Sequence, residues 1–139
     1  MSSKYFTFKE LTATSTGLAN VPDWETIENL KTLAAVLDKV RTDFGKPIRV
    51  NCAFRSAEVN AKVGGVATSA HLKGLAADIC AWSGTEADNR ALLKVLEKEI
   101  HRYDQVISYH KTAGDKTATI RFIHVGLCTG VPRMQRLYK

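Results

Sequence analysis

Long apolar runs are missing from this chain. No stretch approaches the roughly 20 consecutive apolar residues that a membrane span needs, and the opening Met1-Ser2-Ser3-Lys4-Tyr5-Phe6-Thr7 lacks the apolar core of a signal peptide. A soluble product without a membrane span, made in the cytoplasm, is expected. Cysteine is scarce as well: Cys52, Cys80 and Cys128 are odd in number and sit in separate apolar contexts without CxxC spacing. That argues against a disulfide framework and against a thiolate metal site, and leaves buried free thiols as the expectation. No internal repeat, low-complexity run or linker divides the sequence. With 139 residues, 45% of them apolar, the chain has material for one core and not for two, so residues 1–139 are read as a single, monomeric domain.

Acidic residues are outnumbered, 14 against 20 Lys and Arg, which leaves a formal charge of +6 and a pI near 9.3. Such a balance invites a polyanion. The sign alone does not choose between nucleic acid and an anionic cell wall or membrane surface, and no nucleic-acid motif accompanies it. The densest basic stretch is Arg133-Met134-Gln135-Arg136-Leu137-Tyr138-Lys139, read as a solvated basic tail without a catalytic role.

The pattern of the chain is α+β. Phe6 to Leu11 forms a docking segment whose aromatics pin the N-terminus to the core, and Thr12 to Asn20 is a polar loop. Pro22-Asp23 opens a helix in which Ile27, Leu30, Leu33, Ala34, Leu37, Val40 and Phe44 recur with a 3.6-residue period until Gly45 and Pro47 stop it. Pro47 to Cys52 alternates as a strand. Ser56 caps a short helix through Val63, ended by Gly64-Gly65. Leu75 to Cys80 reads as a second strand with Asp78 among small neighbours. Thr85 caps another helix, Asp88 accepting in its first turn, with Leu92, Leu93, Leu96 and Ile100 on its apolar side and an end near His101-Arg102. Tyr103–Tyr109 and Thr119–Leu127 pair as an antiparallel hairpin around a polar turn. Helices packed on a small antiparallel sheet are the expected architecture.

Two histidines and one carboxylate stand out from this scaffold. Ser69-Ala70-His71-Leu72-Lys73-Gly74-Leu75-Ala76-Ala77-Asp78 sets an imidazole and a carboxylate seven residues apart, and Phe122-Ile123-His124-Val125-Gly126 carries a second imidazole on a strand. Two His and one Asp leave a four-coordinate zinc with one open position, as hydrolytic sites do. A two-His-one-carboxylate iron oxygenase uses the same ligand types, but its His-x-Asp spacing is absent.

The order Phe54-Arg55-Ser56, Val63-Gly64-Gly65, Ser-x-His-x-x-Gly-x-Ala-x-Asp, Tyr103-Asp104-Gln105 and Ile123-His124-Val125 resembles the zinc D-alanyl-D-alanine carboxypeptidase and dipeptidase family. That family includes phage endolysins that cut peptidoglycan peptides, and the hedgehog signalling domain shares its fold. The resemblance covers Phe6 to about Leu127. It implies that His71, Asp78 and His124 are zinc ligands, that Arg55 faces substrate and the developing oxyanion, and that the substrate is a peptidoglycan stem peptide. Ser69 and Gln105 fall on the substrate side, Ser69 also being suited to bond its own loop or a ligand. Action at the cell wall, after release of the lysis type, follows from the same resemblance.

One departure bears on mechanism. Relatives often carry a general base, a carboxylate three residues before the last histidine or a histidine two before it; here those positions are Arg121 and Phe122. His110 and Asp104, at the ends of the preceding strand, are the substitutes expected, His110 ahead on its titration range and Asp104 on proximity to His124; Asp115 in the turn is an outsider. The missing base also supports an alternative, a catalytically silent zinc-containing wall-binding module. Carboxypeptidase, dipeptidase and endopeptidase activities share these ligands.

Overall fold

The structure, a computed structural model, describes residues 3–139. Thr7 and Glu10 cap a single helical turn, α1 (Phe8–Leu11), with reciprocal side-chain to backbone bonds, and Phe6 and Leu11 are buried on either side of it. α2 (Trp24–Phe44) starts where the Asp23 carboxylate accepts from Thr26 N and ends at Gly45, which takes φ +78°. Its stripe of Leu30, Leu33, Ala34, Leu37 and Val40 is buried, each leucine contributing roughly 2 kcal/mol of transfer free energy. α3 (Ala57–Lys62) is capped by Ser56, and Gly64 beyond it is left-handed at φ +75°. α4 (Glu86–Lys98) is capped by Thr85. Asp88 does not return the cap: its carboxylate accepts from the Ser83 hydroxyl and from Lys46 instead.

Five strands form one sheet: β1 (Ile48–Cys52), β2 (Ala76–Ala81), β3 (Gln105–His110), β4 (Ile120–Gly126) and β5 (Gln135–Tyr138), in the order β1-β2-β4-β3-β5. The β3–β4 hairpin pairs His110 with Ile120 and Ile107 with His124. Two expectations are corrected here. The sheet is mixed, because β5 pairs parallel to β3, and the basic tail is that strand and not a solvated end. Its charge is absorbed locally, Arg136 reaching Glu97 at 2.9 Å and the Ser108 hydroxyl at 3.0 Å. It also covers an edge of β3 that would otherwise present unpaired backbone.

Period-two alternation gives the sheet two unlike faces. Ala77, Ile79, Val106, Ile123 and Val125 point toward α2 and α4 and are fully buried. Asp78, Cys80, Phe122 and His124 alternate with them on the opposite face, where Arg55 and His71 meet Asp78. Among the described residues no helix is long and apolar enough to cross a membrane.

Candidate metal centre

The site is assembled from one strand pair and one turn. Asp78 and His124 are direct partners across the β2–β4 ladder, so backbone register alone brings carboxylate and imidazole together. His71 arrives on a short 3-10 turn, Ala70–Lys73, whose first amide bonds go to the Ser69 hydroxyl: it accepts from His71 N at 3.2 Å. Gly74 closes the turn at φ +70°, where a Cβ would also stand 3.0 Å from Leu30 and Thr26 of α2. Glycine is required there twice over, by conformation and by space. The Arg55 amide donates to the His71 carbonyl at 3.0 Å, locking the turn to the segment that follows β1.

His71 Nδ1 lies 2.6 Å from the Ala53 carbonyl oxygen. A carbonyl can only accept, so Nδ1 carries the proton and the neutral ring presents a lone pair at Nε2. That lone pair faces Asp78 Oδ1 at 3.3 Å, and His124 Nδ1 faces the same oxygen at 2.9 Å. His71 Nε2 and Asp78 Oδ1 are both acceptors, so a proton or a metal ion must stand between them, whereas His124 can donate to the same oxygen from Nδ1 in its neutral tautomer. All three ligand atoms lie within 4.8 Å of one another, near the roughly 3.4 Å edge of a tetrahedron with 2.0–2.1 Å bonds. The donor set, two imidazoles and one carboxylate, fits a zinc-like cation. Without a metal the charge is met by protons: burial works against the His71 cation, but its bonds to Asp78 and Cys52 push its pKa up to about 9. Burial likewise opposes the Asp78 anion, yet His124 and His71 hold its carboxyl far below the usual range.

Arg55 completes the charge pattern, its Nη2 3.7 Å from Asp78 Oδ2. Its Nε donates to Cys52 Sγ at 3.3 Å and its Nη1 to Asn60 Oδ1 at 3.4 Å. Asn60 is buried and donates in turn to the Val66 carbonyl. A Cβ at Gly65 would lie 2.0 Å from Asn60 Oδ1, so the second glycine of Gly64-Gly65 makes room for the residue that orients Arg55. All three cysteines are free but half-buried, not buried as expected, and Cys52 is more than a spare thiol: burial raises its pKa, but His71 and Arg55 outweigh that and lower it. Cys52 and Asn60 were not singled out from the sequence. Cys52 gave a usable signal, since it ends β1 two residues before the Phe-Arg-Ser stretch.

The chain-order candidates for a base are not brought to this cluster. His110 is buried with Nε2 on the Ser108 hydroxyl at 2.6 Å and Nδ1 on the Ala118 carbonyl at 2.8 Å. Ser108 lies on the helix side of β3, so the His110 ring points away from His124. Asp104 is gripped by Arg133, with Nη2 to Oδ2 at 2.8 Å and Nε to Oδ1 at 3.1 Å, and that guanidinium lowers its pKa. Asp115 bonds Thr117 within the β3–β4 turn. Arg121 is exposed, its guanidinium 5.8 Å from the Phe122 ring centroid. Gln105 does approach the site: it pairs with Gly126, where a Cβ would come within 3.4 Å of His124 Nε2 and 3.7 Å of Gln105 Cβ. A Cβ there would make an ordinary van der Waals contact with the ring.

The family model described as Peptidase M15 matches residues 4–125, which includes every element of the cluster. The chain belongs to the peptidase M15 family. Its members are metallopeptidases, and the His71, Asp78 and His124 group stands where a metal can be held. A search of the curated proteins finds none that matches. Within an M15 peptidase, Arg55, Asn60 and Gly65 form a support built into the first half of the site, while β2 and β4 supply two of its three ligands.

Proposed function

We propose that this M15 peptidase binds zinc at His71, Asp78 and His124 and hydrolyses a peptide bond in bacterial peptidoglycan stem peptides, as a D-Ala-D-Ala carboxypeptidase or an endolysin-type endopeptidase. The observation that carries the reading is one carboxylate shared by two imidazoles with a guanidinium on its second oxygen. Zinc, when bound, supplies a water acidic near neutral pH and polarises the scissile carbonyl. The chain's own residues do the rest. Ala53 fixes the His71 tautomer, Asp78 balances the cation, and Arg55 offers a permanently charged donor to the oxygen on which negative charge develops. Gln105 donates from Nε2 to Gln135 Oε1 and keeps its own Oε1 to accept from the substrate backbone, whereas Ser69 serves the turn that carries His71.

The net charge of +6 favours an anionic wall as the working surface, with action there after release from the cell and as a monomer. The catalytically silent alternative draws on Arg121, which stands where relatives carry a base. Three protein ligands in register weigh against it, because structural zinc sites usually have four. Incubating purified peptidoglycan with the protein and identifying released fragments by mass spectrometry tests the reading. A defined new terminus within the stem peptide, lost on chelation, is expected; intact peptides at high enzyme concentration support the silent module.

A further inference from the structure

The face that carries His124 continues beyond the metal cluster. Along β3 it is lined by Gln105, Ile107 and Tyr109, because Val106 and Ser108 between them are fully buried on the helix side. Ile107 is the partner of His124 and Tyr109 the partner of Phe122, so Tyr109 lies one pleat repeat, roughly 7 Å, along from the ligand. Its ring stacks on Phe122, centroids 4.5 Å and planes 13° apart. The ring is therefore fixed, and none of the hydrogen bonds among the described residues involves the hydroxyl of this half-buried residue. In the order β1-β2-β4-β3 the Asp78–His124 pair stands between Arg55, which follows β1, and Tyr109. Burial raises the phenol's pKa, with Asp78 adding to the rise and Arg55 opposing it, so it keeps its proton at neutral pH within the field of both charges.

We propose that Tyr109 is a catalytic residue, a neutral hydrogen-bond donor that meets the scissile carbonyl oxygen from the β3 side, with Phe122 as the platform that orients it. The proposal rests on the peptidoglycan peptidase reading. Water adds to the carbonyl carbon, the C–N bond breaks, and both protons of that water end on the departing amine; Tyr109 gives up no net proton. Its part is to share, with Arg55, the negative charge that builds on the oxygen. A single donor of this kind is worth about 10²–10³ in turnover.

Tyr109→Phe keeps the stack and removes only the hydroxyl. On a stem peptide that the wild type cleaves, kcat should fall about a hundredfold with KM within about twofold, zinc content and melting temperature unchanged. Affinity for a phosphinate analogue of that peptide, which carries the tetrahedral anion, should weaken by a comparable factor, while affinity for the product peptide stays. Wild-type kcat and phosphinate affinity in Tyr109→Phe overturn the role of Tyr109 and leave the peptidase reading standing. A loss of kcat that comes with lost zinc or a lower melting temperature makes the hydroxyl structural and overturns it too. A wild-type protein that cleaves no stem peptide overturns the underlying reading, and this proposal with it.

Discussion

His71 and His110 are buried almost equally, 3% and 2% exposed, and each anchors Nδ1 on a backbone carbonyl, Ala53 for one and Ala118 for the other. They differ in what faces Nε2. For His110 it is the Ser108 hydroxyl, which donates, so the neutral ring is satisfied and nothing further is wanted. For His71 it is the Asp78 carboxylate, which cannot donate when ionised. One histidine is a finished piece of core and the other stands in a group that could hold a metal ion. Burial and residue type are the same; the partner's donor or acceptor character decides the function.

The largest effect that can break this comparison comes from the charge beside Asp78. Arg55→Ala should keep metal content and fold while lowering turnover by tenfold or more, about 10²–10³ if the whole donor is lost, measured on a cleaved stem peptide. Arg55→Lys should recover little, because an ammonium cannot copy the fork that spans Cys52, Asn60 and Asp78. Wild-type turnover in the alanine variant would take Arg55 out of the mechanism.

His110→Ala sharpens the contrast from the other side. It leaves the Ser108 hydroxyl without its acceptor and a hole beside Tyr138, so urea unfolding should show a loss of about 1–3 kcal/mol. Zinc content and activity of the folded protein should stay near wild type. An unchanged midpoint combined with lost activity would return His110 to the role of base.

Much of this was legible in the chain. The repeat from Leu30 to Val40 and the stop at Gly45 determine α2, and the spacing of His71, Asp78 and His124 survives because two of the three are strand partners whose hydrophobic alternation fixes register. The direction of His110 was not read from the chain: ranked ahead as the base, it turns to the Ser108 side, across a register irregularity between Tyr109 and His110, and the polar turn after it does not fold it back over the metal face. The tail was illegible for a different reason. Arg133 and Arg136 read as solvated charge until their partners Asp104 and Glu97, 29 and 39 residues away, are placed beside them. Asn60 and Gly65 act on Arg55 through contacts that no local pattern encodes.

A smaller, signed effect separates the metal-free from the metal-bound state. Without metal, His71 has its pKa raised from 6.5 to about 9, so its stabilising contribution is fully present below 6.5 and is lost as the pH rises toward 9. Asp78 is depressed from 3.8, so its contribution is present above that value and disappears in stronger acid. The melting temperature of the chelator-treated protein should therefore be highest between pH 3.8 and 6.5 and fall between 6.5 and 9. With zinc in excess the sign should reverse over the upper window, because the His71 proton must leave before the cation binds. Parallel pH profiles with and without zinc would mean that the metal does not displace that proton.

Metal content per chain tests the central claim most directly. Wild type, His110→Ala and the three variants His71→Ala, Asp78→Ala and His124→Ala would be dialysed against the same low zinc concentration and assayed by elemental mass spectrometry. Close to one zinc per chain is expected in wild type and His110→Ala, with each ligand variant falling well below it. Full zinc in all three ligand variants, or a loss in His110→Ala equal to theirs, would contradict the division of labour between the two buried histidines.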